Sequence, residues 1–222
     1  MENADAEFQR LLDEAVKFHG HLCGGQVIGV RMAMAGLREL GIKEPRGKEG
    51  RDLVIFVEID RCATDAIISV TGRTPGKRSL KMLDYGKMAA TFVNVGTGKA
   101  VRICVRADLD EKVRRIAQAN ETGEGEEAAY LAALAAMPEE EVLKTGRVIV
   151  NIRPRDLPGK PLSSVICERC GEAVRDMREV YRWGRILCRP CADRQTYYAL
   201  EDGRPVTGAS RTKRGRVRKG SA

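Results

Sequence analysis

Aromatic residues make up only 5% of this 222-residue chain, with a single tryptophan, and there are just two histidines. A hydrophobic core must therefore be assembled from Leu, Ile, Val, Ala and Met. Long apolar runs are missing too. The stretch 148–152 is among the longest, far short of the ~20 residues of a helical membrane span, so no membrane partner is expected. The opening MENADAEFQRLLDEA is acidic and helical in pattern, without the basic and apolar regions of a secretory leader. No G-x-x-x-x-G-K-[ST] run is present, which excludes a P-loop. Seven cysteines, an odd number, without an export signal point to a reducing cytoplasm and to thiols kept for metal rather than for disulfides.

What charge there is falls unevenly. Residues 1–160 hold 25 Lys/Arg against 24 Asp/Glu, whereas residues 161–222 hold 14 against 7. The basic character of the chain, +8 in all, belongs to its C-terminal quarter. There, Cys167 and Cys170 are followed after seventeen residues by Cys188 and Cys191. Two Cys-x2-Cys knuckles at this distance match a structural four-thiolate zinc site. Such a closed site builds a fold and catalyses nothing by itself. Within residues 154–161, three prolines and a glycine form a stiff linker ahead of the module. After Gly203 the chain carries seven Lys/Arg and no acid, a composition that reads as a disordered basic tail.

Upstream, periodicity predicts a first amphipathic helix ending near His19-Gly20. A mostly apolar second helix follows over 25–40, stopped by Gly41, with Gly29, Ala33 and Gly36 small enough for close approach. Strands are expected over 52–59, 88–95, 100–106 and 147–152, and helices over 63–70, 108–119, 126–136 and 139–144. The segment 71–77 reads as a glycine-rich loop. Cys104 falls inside a strand and reads as core.

Both histidines lie in one short run, His19-Gly20-His21-Leu22-Cys23-Gly24-Gly25. Imidazole and thiolate together suit zinc, iron, nickel or copper. A thiol on a turn that opens a helix is expected to be stabilised as thiolate by the free N–H groups there. The alternative is two capping histidines and a small buried cysteine. A second candidate follows the first strand: Glu58-Ile59-Asp60-Arg61-Cys62-Ala63-Thr64-Asp65. Ligands gather beyond the carboxyl ends of strands in α/β sheets. Cys62 is the natural extra ligand to His19, His21 and Cys23, and Asp65 would orient a ligand or act as a base. Otherwise Asp60 or Thr64 caps a helix and Cys62 is packing. A third group, Lys77, Tyr85 and Lys87, would bind an acidic substrate or else be solvated loop charge.

Taken in order, HGHLCGG, EIDRCATDAI and VTGRTPGK…DYGK resemble the FmdE-like family, named for the E-subunit of formylmethanofuran dehydrogenase, over about residues 10–155. The resemblance implies an α+β fold, a mixed or antiparallel sheet packed against helices, and a homodimer. It also implies a metal cleft formed by His19, His21, Cys23 and Cys62 with Asp65 nearby, Cys23, Cys62 and Asp65 being the catalytic candidates. Many members carry an appended four-cysteine module. Two departures stand out. Gly24 takes the place of a frequent proline, and Arg73 stands where a cysteine is common. A guanidinium ligates no metal and favours an anion instead. The dehydrogenase itself works through molybdenum or tungsten pterin and iron–sulfur clusters on its other chains, which nothing here resembles.

The expected organisation is thus a metal-binding α+β core over 1–155, a zinc-ribbon or treble-clef-like module over 156–202 with a helix over 188–199, and a basic tail over 203–222. The core would hold a second transition metal (zinc, nickel or iron) beside a small anionic substrate, in a stand-alone or accessory redox-related protein. Two alternatives compete. One is a regulatory or nucleic-acid-binding zinc finger, in which the tail makes weak nonspecific contact and Trp183 caps the zinc site as core. The other is a metal-delivery factor for a molybdenum or tungsten enzyme.

Overall fold

Leu11, Leu12 and Ala15 lie buried along one side of the first helix, α1 (Glu2–His19), as their spacing demands. Gly20, at φ +107°, turns the chain out of it. The second helix, α2 (Gly24–Leu40), buries ten residues around most of its circumference. It ends in a Schellman motif: Gly41 takes the left-handed conformation, and the Gly41 and Ile42 N–H groups bond the carbonyls of Arg38 and Leu37. A 3-10 turn (Glu49–Asp52) then feeds the first strand, β1 (Leu53–Val57), which leads into α3 (Cys62–Thr71). Next come β2 (Leu80–Met82), the hairpin β3 (Ala89–Asn94) and β4 (Ala100–Val105), α4 (Leu109–Ala119), α5 (Glu126–Ala136), the single turn α6 (Glu139–Val142) and β5 (Leu143–Arg147). This computed structural model describes residues 2–119 and 125–201.

The five strands run in the order β2-β1-β3-β4-β5, with β1 and β2 parallel and the other pairs antiparallel. The sheet is therefore mixed and the class is α+β. Ile55 pairs with Leu80 on one side and Phe92 on the other, Phe92 with Val101, and all four point into the core with α2. Alternate residues form the opposite face, where Phe56, Thr91 and Arg102 stand in one row. Arg102 there makes a bidentate ion pair with buried Glu58, both bonds 2.7 Å. That pair holds the Glu58 carboxyl below the ordinary carboxylate range.

Small residues let α2 lie very close to its neighbours. A Cβ placed on Gly25 would come within 2.7 Å of the Cys62 Cβ, and one on Gly29 within 2.5 Å of the Ala63 carbonyl. At Gly36 it would meet the Phe92 ring at 2.5 Å. Arg31 reaches from α2 to the end of α5, donating to the Ala135 and Met137 carbonyls at 2.5 Å. A cation at a helix C-terminus is favourably placed against the dipole.

Several sequence expectations need correction. The last core strand is 143–147, not 147–152, and the preceding helix stops at Val142. β5 is an edge strand with only Leu143 buried, so it is paired by its backbone and carries no apolar pattern to read. The more apolar run beyond it leaves the sheet after Val148, whose N–H still bonds the Ala100 carbonyl at 3.1 Å, and Ile149 is fully exposed. The three-residue β2 is too short to show a period and has no counterpart among the expected strands. The proline-rich linker is in part a 3-10 turn, Pro154–Asp156.

A second unit begins at Lys160, after Gly159. It contains two hairpins, β6 (Ser164–Ile166) with β7 (Ala173–Arg175) and β8 (Val180–Arg182) with β9 (Arg185–Leu187). They are followed by α7 (Arg189–Asp193), shorter than the 188–199 expected because Arg194 turns left-handed at φ 56°. Its small core is Cys167, Val174, Leu187, Cys191 and Ala192. The basic tail lies outside the described residues. Among the described residues no helix is long and apolar enough to cross a membrane.

Candidate metal centres

The four-cysteine centre is built from two different kinds of knuckle. Cys167 and Cys170 sit on the turn between β6 and β7, where Gly171, at φ +79°, donates its N–H to the Cys167 carbonyl at 2.9 Å. Cys188 is the N-cap of α7 and Cys191 lies within that helix. All four sulfurs fall within 4.8 Å of one another, and Cys170 and Cys188 are 3.8 Å apart. Burial pushes the Cys167 thiol up, but backbone N–H groups of Cys170, Cys188 and Arg169 more than offset this and hold it down to about 6. Burial, and then the crowded neighbouring sulfurs, push the Cys191 thiol up, and Cys170 is likewise raised by burial first. Charge on one sulfur thus opposes charge on the next unless a cation sits between them, so the residues fit a closed four-thiolate zinc site.

The core centre gathers where the end of α1 meets the starts of α2 and α3. His19 is the last residue of α1, Cys23 the N-cap of α2 and Cys62 the first residue of α3. Neither N-cap side chain is used for capping, so the Cys23 sulfur is free for other partners. The donor atoms of His19, Cys23 and Cys62 lie within 4.8 Å of one another. Burial, followed by the hydrogen bond with Cys23, raises the Cys62 thiol.

Asp65, one turn along α3 from Cys62, faces His19: its Oδ2 is 2.8 Å from Nδ1. A carboxylate only accepts, so Nδ1 carries the proton and, in the neutral ring, Nε2 presents its lone pair. That Nε2 is buried and has no hydrogen-bond partner. An unsatisfied buried acceptor beside two thiols is what a site shaped for a cation leaves behind when its protein atoms alone are counted.

Among the described residues, His21 does not join this group. Its ring leans against that of His19, centroids 4.7 Å apart, and it is exposed. Lys77, Tyr85 and Lys87 are exposed as well. The Tyr85 and Lys87 backbone N–H groups both bond the Glu58 carbonyl, at 3.0 and 3.1 Å, placing their loop beside the segment that leads to Cys62. Arg73 offers no anion site: its guanidinium donates to the carbonyls of Gly50, at 2.7 Å, and Thr71. Its charge is spent bracing its own loop. Cys104 is half-buried on β4 against the Lys144 carbonyl rather than in the core. Trp183 caps nothing. It stands exposed at the β8–β9 turn.

Sequence reasoning passed over Gln26. Fully buried, it donates from Nε2 to the Cys62 carbonyl at 2.7 Å and so ties the start of α3 to α2. Its signal was visible: a lone amide among VIGVRMAMAGL has no place in a purely apolar helix unless something needs it. Thr64 adds a bond from its hydroxyl to the Ile59 carbonyl, 2.7 Å.

Comparison with known proteins agrees with this architecture. Residues 160–197 match the prokaryotic dksA/traR C4-type zinc finger. A probable S-adenosyl-L-methionine-binding protein of Archaeoglobus fulgidus is 32% identical, the match covering 89% of this chain but 56% of that protein, so the chain spans little more than half of it. An FmdE-like protein of the tungsten formylmethanofuran dehydrogenase type, from Syntrophus aciditrophicus, shares the fold, with a TM-score of 0.54 at 20% identity over 86% of this chain and 95% of the other. The model described as FmdE, molybdenum formylmethanofuran dehydrogenase operon, matches residues 18–144, more than half of the chain and the whole of the His19, Cys23 and Cys62 centre. The chain is a metal-binding protein of the FmdE family, extended by a four-cysteine zinc finger.

Proposed function

We propose that the core unit binds a second metal ion through His19 Nε2, Cys23 Sγ and Cys62 Sγ, and presents it to a small anionic substrate in a stand-alone or accessory redox-related protein. The buried, unpartnered Nε2 of His19 carries this reading. Three protein donors leave a tetrahedral ion one open position, the arrangement of a reactive rather than a scaffolding site. When bound, the ion would supply Lewis-acid or redox chemistry, and the sulfur–imidazole set suits zinc, nickel or iron.

The residues around it have separable tasks. Asp65 keeps the proton on Nδ1 and fixes the ring. The backbone N–H of Cys62 partly opposes the burial that raises its thiol. Gln26 holds the Cys62 backbone in place. Tyr85 and Lys87 supply a hydroxyl and a cation on the neighbouring loop for an anion. Asp65 is a positioning residue here, since its carboxylate is already engaged by His19.

Metal content per chain tests the proposal. The Cys167→Ser/Cys170→Ser variant should retain one ion, and Cys23→Ser/Cys62→Ser should retain only the zinc of the module. If the first variant binds no metal while its core unit stays folded, the reading fails.

A further inference from the structure

Two of the three donors in the core centre are thiols, and a pair of thiols has a chemistry of its own. The Cys23 and Cys62 sulfurs lie within 4.8 Å of one another and share a hydrogen bond. A disulfide needs them at about 2.05 Å, with the Cβ atoms about 3.5–4.5 Å apart. The two residues open α2 and α3, and the seam between these helices is tight: a Cβ added to Gly25 would come within 2.7 Å of the Cys62 Cβ. Closure therefore asks for rotation of side chains rather than for movement of helices. Both cysteines are half-buried, so a small reagent can reach them. Cys23 follows exposed His21 and Leu22 on an open turn, which gives that reagent its approach.

The groups beside the pair suit exchange. His19 Nε2 is buried, has no hydrogen-bond partner and lies within 4.8 Å of both sulfurs. Asp65 holds the proton on Nδ1 from 2.8 Å. Thiol, imidazole and carboxylate thus stand as nucleophile, base and orienting group. The four-cysteine group differs: it contains no histidine, and Cys167 and Cys191 are almost fully buried.

We propose that Cys23 and Cys62 form a reversible dithiol–disulfide couple, and that closure of this pair and binding of the core ion exclude one another. The exclusion rests on the ligand reading given above, and the exchange itself does not. The oxidant is a low-molecular-weight disulfide, RSSR. His19 Nε2 takes the proton of the Cys23 thiol, and the thiolate attacks one sulfur of RSSR. The S–S bond of the reagent breaks, RS⁻ leaves, and Cys23 carries a mixed disulfide. The Cys62 sulfur then attacks Cys23 Sγ, forms the internal bond and expels the second RS⁻. The two thiol protons leave with these groups as two RSH, so two electrons pass to the reagent and His19 ends neutral. A disulfide keeps no thiolate for an ion, and an ion on both sulfurs keeps them from attacking.

Glutathione disulfide is the probe. The full-length chain, with its finger loaded with zinc and its core centre emptied by a mild chelator, should lose two hydrogens in mass. Peptide mapping should find Cys23 joined to Cys62, and excess glutathione should reverse the bond. Cys62→Ser should stop at one glutathione on Cys23. His19→Gln should reach the same end point about tenfold more slowly, where a merely structural role would change the end point. Prior loading of the core with added zinc should slow closure by about tenfold or more. The proposal is overturned if both residues stay as thiols, if they stop as separate mixed disulfides, or if closure is equally fast in a chain shown to carry the second ion. A chain that takes up no second ion yet forms the bond would sink the ligand reading instead and leave the couple standing.

Discussion

The two thiol clusters of this chain use cysteine in opposite ways. In the C-terminal unit, four sulfurs come from two tight knuckles within 25 residues and are themselves much of the local core. In the N-terminal unit, two sulfurs and an imidazole come from three helix ends, on a framework whose core is built by other residues. The first arrangement needs its ion in order to fold. The second has its fold already, so an ion held there, as proposed, would be free to keep a coordination position open. Ligand number follows from who supplies the hydrophobic core.

Removing metal should expose this difference most sharply. Chelation, or Cys167→Ser/Cys170→Ser, is expected to unfold the module, since structural zinc supplies about 10–16 kcal/mol in comparable small domains. Hydrogen exchange should show lost protection over 164–193 and an unchanged core unit. Protection lost across both units would break the contrast.

Next in size is Arg102→Ala, which should destabilise the core unit by about 3 kcal/mol by leaving Glu58 buried without its partner, as read by urea denaturation. Glu58 is held below the ordinary carboxylate range by Arg102. The pair therefore stabilises the folded state above that range, and its contribution is lost as pH falls through the lowered value. The variant should show a shallower acid limb, and the zinc content of the module should not change.

Gly29→Ala should cost about 2 kcal/mol, because its Cβ would meet the Ala63 carbonyl and drive α2 from α3. Core metal should be lost before stability is. The smallest effect belongs to Asp65→Asn, which leaves the fold intact and weakens core metal affinity about 10–100-fold. The same substitution should leave the four-cysteine site untouched. Equal loss at both sites would show that the core centre has no oriented ligand of its own.

Much of this was legible in the chain itself. The four-cysteine spacing announced the module, and the long period of α2, stopped by Gly41, left little choice of structure. His19, Cys23 and Cys62 were readable as candidate ligands, and the structure brings them together, whereas the place of His21 was not readable: two residues apart on a turn, either imidazole satisfies a spacing rule, and only tertiary geometry turns one inward. Edge strand β5 escaped because its backbone alone secures it. Trp183 was misplaced for a related reason. Aromatic residues usually serve packing, and no local pattern shows that a left-handed turn holds one out in solvent. The bracing role of Arg73 depends on the Gly50 carbonyl, 23 positions away, and sequence offers no hint of such a bond.

The glycine seam between α2 and α3 has a consequence for how this protein can be retuned. Each of the two helices begins with a sulfur, so the pair behaves as the jaws of a caliper, and the gap at the tip is set by what is clamped along the shaft. The size of ion that the proposed core centre would accept is then adjustable from side chains that touch none of its ligand atoms. Exchanging small residues along this contact, with the three proposed ligands kept, would then be a simple route from one metal to another.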